Sequence, residues 1–353
     1  MPRKILLFAS QVYSLTILRP LQSAALERGD EVAWYYYHPS ACAPYRREGE
    51  RLLESVDEVS SFNADAVMVA SNVVPDFFPG IKVQLFHGFD ALKRPARRGF
   101  QRVRGFFDLY CTHGPAVTEV FQQLAEKHRH FAVVETGWCK LDPLFRGETE
   151  PPAAPDGRPT VLITSTFTPS LSLAVPLHDA IRELAASGRW RVLVTMHSKM
   201  APETVARYRK LQNENLTFIE TDDIVPLLQK ADLMVSDTSS VIFEFLLLGK
   251  PVVTFRNRRP GPWLYDIDDP GQLEPAIQHV LDNPDDFMAE IEKLGEELHP
   301  CRDGRSSERV LQAVDRFIDE RWGDNLRRKP LNLVRRLKMR RQLHYPLGKG
   351  ILS

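Results

Sequence analysis

Short apolar runs alternate with amphipathic stretches along most of this chain, and the alternation predicts strand, helix, strand in repetition. Lys4 to Ala9, Glu31 to Tyr37, Ala66 to Val69, Lys82 to His87, Leu109 to Thr112 and Val133 to Glu135 read as strands. Helical patterns such as Thr16 to Arg28 and Pro115 to Lys127 separate them, so the first half predicts an α/β unit built on a parallel, doubly wound sheet. Pro151-Pro152-Ala153-Ala154-Pro155-Asp156-Gly157-Arg158-Pro159 then breaks every pattern and reads as a linker. The alternation restarts with a strand at Thr160 to Thr164, a helix near Ser172 to Ala186, and strands at Trp190 to Thr195, Thr217 to Ile219, Leu233 to Val235 and Val252 to Phe255. This predicts Rossmann-like domains over residues 1–150 and 159–322, facing a central cleft, and a basic tail over 323–353. A final helix, about Ser307 to Arg321, falls in the second domain by sequence, with a crossing back to the first left open.

Composition narrows the class without naming a chemistry. The chain has 353 residues, 43% of them hydrophobic, enough for two cores of ordinary size. Lys plus Arg equals Asp plus Glu at 46 each, so no global charge draws it to nucleic acid. Cys42, Cys111, Cys139 and Cys301 form no C-x-x-C pair, which argues against a zinc site or a disulfide framework and suits a reducing compartment. Neither metal nor cofactor is expected. The apolar run Ile5 to Ser10 is interrupted at Gln11 and reads as a first buried strand rather than a signal segment. No apolar stretch approaches the roughly 18 residues of a membrane span, so a cytoplasmic location is expected.

The densest chemistry lies at Ser236-Asp237-Thr238-Ser239-Ser240, between an apolar strand and an apolar helix at Val241 to Leu248. A helix begins with unpaired N–H groups and the positive end of its dipole, so with the hydroxyls of Thr238, Ser239 and Ser240 this junction suits a phosphate. Asp and Ser are also ordinary N-caps, and that reading stays open. Glu244, one turn on, faces the same mouth in this reading and suits ribose hydroxyls, since an acid inside an apolar helix has little structural purpose. His87 ends an apolar strand and precedes Gly88, and His197 follows the strand Trp190 to Thr195. Parallel sheets bind ligands beyond the carboxyl ends of their strands, so both histidines occupy catalytic positions, with a satisfied loop histidine the alternative.

Several of these segments together resemble a known family. Ser-Asp-Thr-Ser-Ser with its acid-bearing helix, Gln84-Leu85-Phe86-His87-Gly88, Thr136-Gly137-Trp138-Cys139-Lys140-Leu141-Asp142, Met196-His197 and Asp303-Gly304-Arg305-Ser306-Ser307-Glu308-Arg309-Val310 follow, in order, motifs of the CDP-glycerol glycerophosphotransferases of teichoic acid and capsule synthesis. The likeness spans about residues 80 to 318. It implies the two-domain GT-B fold and transfer of glycerol phosphate, or a related alditol phosphate, from a CDP-linked donor to a membrane-linked or glycan hydroxyl. His87 is then the base, and His197, as an imidazolium, contacts the phosphoryl group. Thr166, Asp237, Thr238, Ser239, Ser240 and Glu244 bind the donor, with Lys140 and Arg256 as further phosphate contacts.

Departures from the motifs bear on the substrate. Ser165-Thr166-Phe167-Thr168 lacks an arginine usual in the family, Thr195 replaces another, and the segment after Gly88 is one residue longer. Arginine forks grip phosphate bidentately and threonine cannot, so the donor is less constrained than the reaction class. Basic residues cluster at Lys93, Arg94, Arg97 and Arg98, and from Arg327 to Lys349 nine Lys or Arg occur without an acid. Anionic lipid attracts such segments by about 1 kcal/mol per charge, so peripheral attachment at the inner face of the membrane is expected, a solvated tail being the alternative. A glycosyltransferase using a nucleotide sugar and a catalytically silent nucleotide-binding scaffold are the competing functions.

Overall fold

A computed structural model describes residues 2–89, 103–147, 156–221 and 223–346. The basic cluster Lys93, Arg94, Arg97 and Arg98 lies outside the described residues. Among the described residues two six-stranded, all-parallel sheets organise the chain, as the repeated alternation predicts. By contact, residues 1–146 and 297–353 form the first unit and 147–296 the second.

In the first unit the strands are β1 (Lys4–Ala9), β2 (Glu31–Tyr36), β3 (Ala66–Val69), β4 (Ile81–Gln84), β5 (Leu109–Thr112) and β6 (Ala132–Glu135), in the order β2-β1-β3-β4-β5-β6. Chain direction across this sheet reverses between β1 and β3, which makes that gap the topological switch point. Leu6, Phe8, Val67 and Val69 on these strands are fully buried and carry the core. The sequence places β4 at Lys82 to His87; the ladder ends at Gln84 because the backbone turns at Phe86.

The boundary drawn at residue 322 is corrected. The helix Ser306–Asp319 belongs to the first unit because its apolar stripe, Val310, Leu311, Val314 and Phe317, is buried there. Asp315 pairs with Arg3 at 3.2 Å and Arg28 at 2.7 Å. Its first turn is held by Asp142, whose carboxylate accepts from the Ser306 and Ser307 amides at 2.8 and 2.7 Å. Thus the Thr136–Asp142 and Asp303–Val310 segments form one joint, and at its heart Gly137 (φ 77°) lies where a Cβ would fall 2.4 Å from Ser306 Oγ. We expect Asp142→Ala to lower unfolding stability by about 2 kcal/mol in a denaturant titration, since two buried N–H groups lose their acceptor. An unchanged midpoint would contradict the joint.

Residues 323–346 are likewise part of this unit rather than a free tail. Arg327 donates its amide to Arg129 O at 2.6 Å, Lys329 pairs with Asp108 at 2.7 Å, and a helix spans Leu333–Gln342. The sequence pattern missed that helix because three of its four apolar residues, Leu333, Val334 and Leu337, lie off the buried face.

In the second unit β7 (Thr160–Ser165), β8 (Arg191–Met196), β9 (Leu216–Phe218), β10 (Leu233–Ser236), β11 (Val252–Phe255) and β12 (Tyr265–Ile267) are ordered β12-β11-β10-β7-β8-β9. The reversal here lies between β7 and β10. Polar β12 escaped the sequence reading because it is an edge strand with two exposed residues. The helix expected from Ser172 is regular only over His178–Ala186, and the one expected to reach Leu248 ends at Leu246.

Candidate active site

At the switch point of the first sheet the backbone is strained. Leu85 donates to Val69 O at 2.8 Å, and Phe86, a buried aromatic, then takes a left-handed φ of 59°. Such a conformation costs roughly 1–2 kcal/mol in a residue with a Cβ. It turns His87 out of the sheet, exposed, beside the carboxyl ends of β1 and β3. Nδ1 of His87 lies 3.2 Å from Ala70 O. A carbonyl only accepts, so Nδ1 carries a proton, and in the neutral ring Nε2 holds the lone pair, the form a general base requires. Tyr13, just after β1, stacks on the imidazole at 5.1 Å with planes 26° apart. Sequence reading missed Tyr13, although its place in the first strand-to-helix turn was a usable signal once the strand order was known.

Beneath His87 the chain enters an aromatic cluster. Phe89 meets His113 at 5.2 Å and Trp138 at 5.3 Å, and Lys140 lies 5.3 Å above the Trp138 ring. Lys140 therefore belongs to this cluster. His113 and His299 are buried: His113 Nε2 donates to Leu85 O at 3.3 Å, and His299 Nε2 accepts from the Trp138 amide at 2.8 Å. Burial, with repulsion from His299 as a smaller cause, pushes His113 down to about 3; burial chiefly brings His299 to about 4. An unfolded histidine titrates near ~6.5, so on acidification the unfolded chain takes up protons first. The stability this gives is complete above about 6.5 and is lost as pH falls toward 4 and then 3. Between pH 7 and 5 urea titrations should lose on the order of 3 kcal/mol, each group contributing up to about 1.4 kcal/mol per pH unit. A flat profile would contradict buried neutral histidines.

The second sheet repeats the arrangement with other side chains. Asp237, fully buried at the end of β10, reaches across the switch point to the end of β7. Its Oδ2 accepts from Ser165 Oγ and the Thr166 amide at 2.8 Å each, and from the Leu173 amide at 3.3 Å. Asp237 is thus the residue that orders the loops, and it brings Thr166 to the Thr238–Ser240 segment. Half-buried Ser240 makes no capping hydrogen bond to the helix Val241–Leu246, so capping is not what its hydroxyl does here. Glu244 sits in the first turn of that helix and is buried rather than open at a mouth.

The loop after β11 is fastened to the same segment. Asn257 Nδ2 donates to Asp237 O at 3.0 Å, and the Arg258 amide to Thr238 Oγ1 at 3.3 Å. Arg256, at φ 50°, lays its guanidinium 4.7 Å above Phe255 and donates Nε–H to Asp268 O at 2.9 Å. Asn257 was not legible in advance, because asparagine in a loop has no distinguishing pattern.

Exposed His197 follows β8, the other neighbour of β7, and its ring lies 4.5 Å from that of Phe167. Its Nδ1 accepts the Lys199 amide at 3.1 Å. In the neutral ring, Nε2 then carries the hydrogen. In their neutral forms the two histidines hold opposite tautomers: His87 offers a lone pair at Nε2, His197 a hydrogen.

Among the described residues no cluster of His, Cys, Asp and Glu has metal-binding geometry. Residues 68–316 match the model of a family described as CDP-glycerol:poly(glycerophosphate) glycerophosphotransferase. No curated protein matches the chain. Similar solved structures include the wall teichoic acid polymerase TagF, 14% identical with a TM-score of 0.64, covering 91% of this chain and 90% of that one. A putative UDP-N-acetylglucosamine 2-epimerase from Listeria monocytogenes is 17% identical with a TM-score of 0.64, covering 91% and 98%. S. aureus MnaA in a UDP co-structure is 16% identical with a TM-score of 0.60, covering 90% and 97%. At these identities the structural likeness shows the fold, which is GT-B.

Proposed function

The chain belongs to the CDP-glycerol:poly(glycerophosphate) glycerophosphotransferase family, and from that membership we propose that it moves glycerol phosphate from CDP-glycerol to a hydroxyl of a membrane-linked or glycan acceptor. The observation that carries the reading on this chain is the pair of switch points, each occupied by residues of the family motifs: His87 in one unit and Asp237 with Thr166 in the other.

In the proposed reaction the acceptor hydroxyl oxygen attacks the phosphorus bearing glycerol while His87 Nε2 takes its proton. The phosphoanhydride bond to the CMP phosphate breaks and CMP leaves with the electron pair. Nδ1–H, bonded to the Ala70 carbonyl, keeps the base in its tautomer. Ser239, Ser240 and the opening amides of the Val241–Leu246 helix hold the diphosphate, and His197 donates from Nε2 to its developing charge. Thr166 and Arg256 bound the donor segment, and Lys140 and the Lys93–Arg98 stretch attract a phosphate-bearing acceptor. Attachment at the cytoplasmic face of the membrane belongs to the same reading. A CDP-linked alditol other than glycerol fits the same residues.

Thermal melts with CDP, UDP and GDP compounds test the nucleotide. A ligand bound only by the folded state stabilises it by RT ln(1 + [L]/Kd), about 2.7 kcal/mol at a hundredfold excess over Kd. CDP-glycerol and CDP should raise Tm more than their uridine and guanosine counterparts; a preference for UDP-sugars would favour the glycosyltransferase.

A further inference from the structure

The helix Leu333–Gln342 is amphipathic in an inverted sense. Arg336, Met339 and Arg340 face the protein, while Leu333, Val334 and Leu337 face solvent, Val334 being 82% exposed. A helix turned by packing alone would bury its leucines. Its orientation is held by polar docking. Arg340, 1% exposed, pairs with Asp76 at 2.5 Å, its guanidinium 5.6 Å from the Phe77 ring and 5.4 Å from that of Tyr345. Phe77 and Tyr345 stack at 3.8 Å, and Arg336 reaches Asp76 at 3.9 Å.

Spacing in the helix puts Val334, Leu337, Lys338 and Arg341 on one exposed face, with Leu333 and Arg335 at its two edges. Exposed Leu331 precedes them, and no acid occurs after Asp324. Apolar side chains interleaved with unopposed cations complement one environment, the boundary between anionic headgroups and acyl chains. A protein partner would need acids opposite the cations; a bilayer supplies both halves at once.

We propose that this helix is a prebuilt membrane-insertion face: docking through Arg340 and Asp76 presents Leu333, Val334 and Leu337 for burial in the acyl boundary while Arg335, Lys338 and Arg341 meet anionic lipid. The inference deepens the membrane part of the proposed function and rests on it. It differs from attachment by charge alone, because part of the binding survives salt.

The test uses the full chain with vesicles of phosphatidylcholine, alone or with 30% phosphatidylglycerol (about 30 mol per 100). The intact protein should sediment with the anionic vesicles and keep a residual fraction bound at about 1 M salt, where exposed charges are screened within about 3 Å. L333S/V334S/L337S and R335Q/K338Q/R341Q should each weaken partitioning about tenfold or more, with unchanged melting and unchanged turnover of a soluble acceptor. In V334W the added tryptophan should shift its emission to the blue on anionic vesicles only. If the intact chain ignores anionic vesicles, the membrane reading fails with this one. If it binds but both triple variants bind equally well, the helix assignment alone fails. If the serine variant abolishes self-association seen without lipid, the face is a contact between copies and the proposal is overturned.

Discussion

Replacing His87 with alanine is expected to lower kcat by about 10²- to 10⁴-fold while CDP-glycerol binding changes little, because the step lost is removal of the acceptor proton. The geometry makes the expectation specific. Nδ1–H is engaged by the Ala70 carbonyl, so Nε2 is the basic atom. A His87→Gln variant keeps a side chain able to bond that carbonyl but supplies no base, and should be as slow as alanine. The wild-type profile of kcat/KM should rise with pH through the titration of one group, and that limb should vanish in both variants. Turnover near the wild-type rate in His87→Ala would remove this histidine from the chemistry.

The second large effect is on donor binding. With Ser239 and Ser240 both changed to alanine, two hydroxyl donors to the diphosphate are lost, each hydrogen bond to a charged group being worth about 1.5–3 kcal/mol. Affinity for CDP-glycerol in calorimetry should fall by about two orders of magnitude or more. The unliganded melting curve should stay in place, since Ser240 does not cap its helix. A matching loss of stability would assign these serines to the fold instead. Asp237 differs in kind: its carboxylate holds Ser165 and Thr166, so its loss should damage fold and binding together.

Legibility in the sequence followed the kind of force at work. Buried parallel strands announce themselves as apolar runs, and both sheets were readable apart from edge strand β12. The Thr238–Ser240 turn and both histidines were readable because they stand at strand ends. Strand order was not readable, and it is strand order that sets His87 beside Tyr13 and Ala70, and Asp237 beside Thr166. The Thr136–Asp142 turn resembled a family signature without revealing its work, which here is to hold the first turn of a helix 164 residues away. The His197 tautomer depended on one loop amide, and the docked helix Leu333–Gln342 on an Arg–Asp pair distant in sequence. Neither leaves a local pattern.

Product analysis decides whether a CDP-linked alditol phosphate is the substrate. The purified full chain is incubated with CDP-glycerol and a short hydroxyl acceptor, and in parallel with UDP-sugars, and released nucleotides are quantified. CMP should appear in step with glycerol phosphate gained by the acceptor, and His87→Ala should abolish both. Release of UDP from a nucleotide sugar, with CDP-glycerol left intact, would contradict the account.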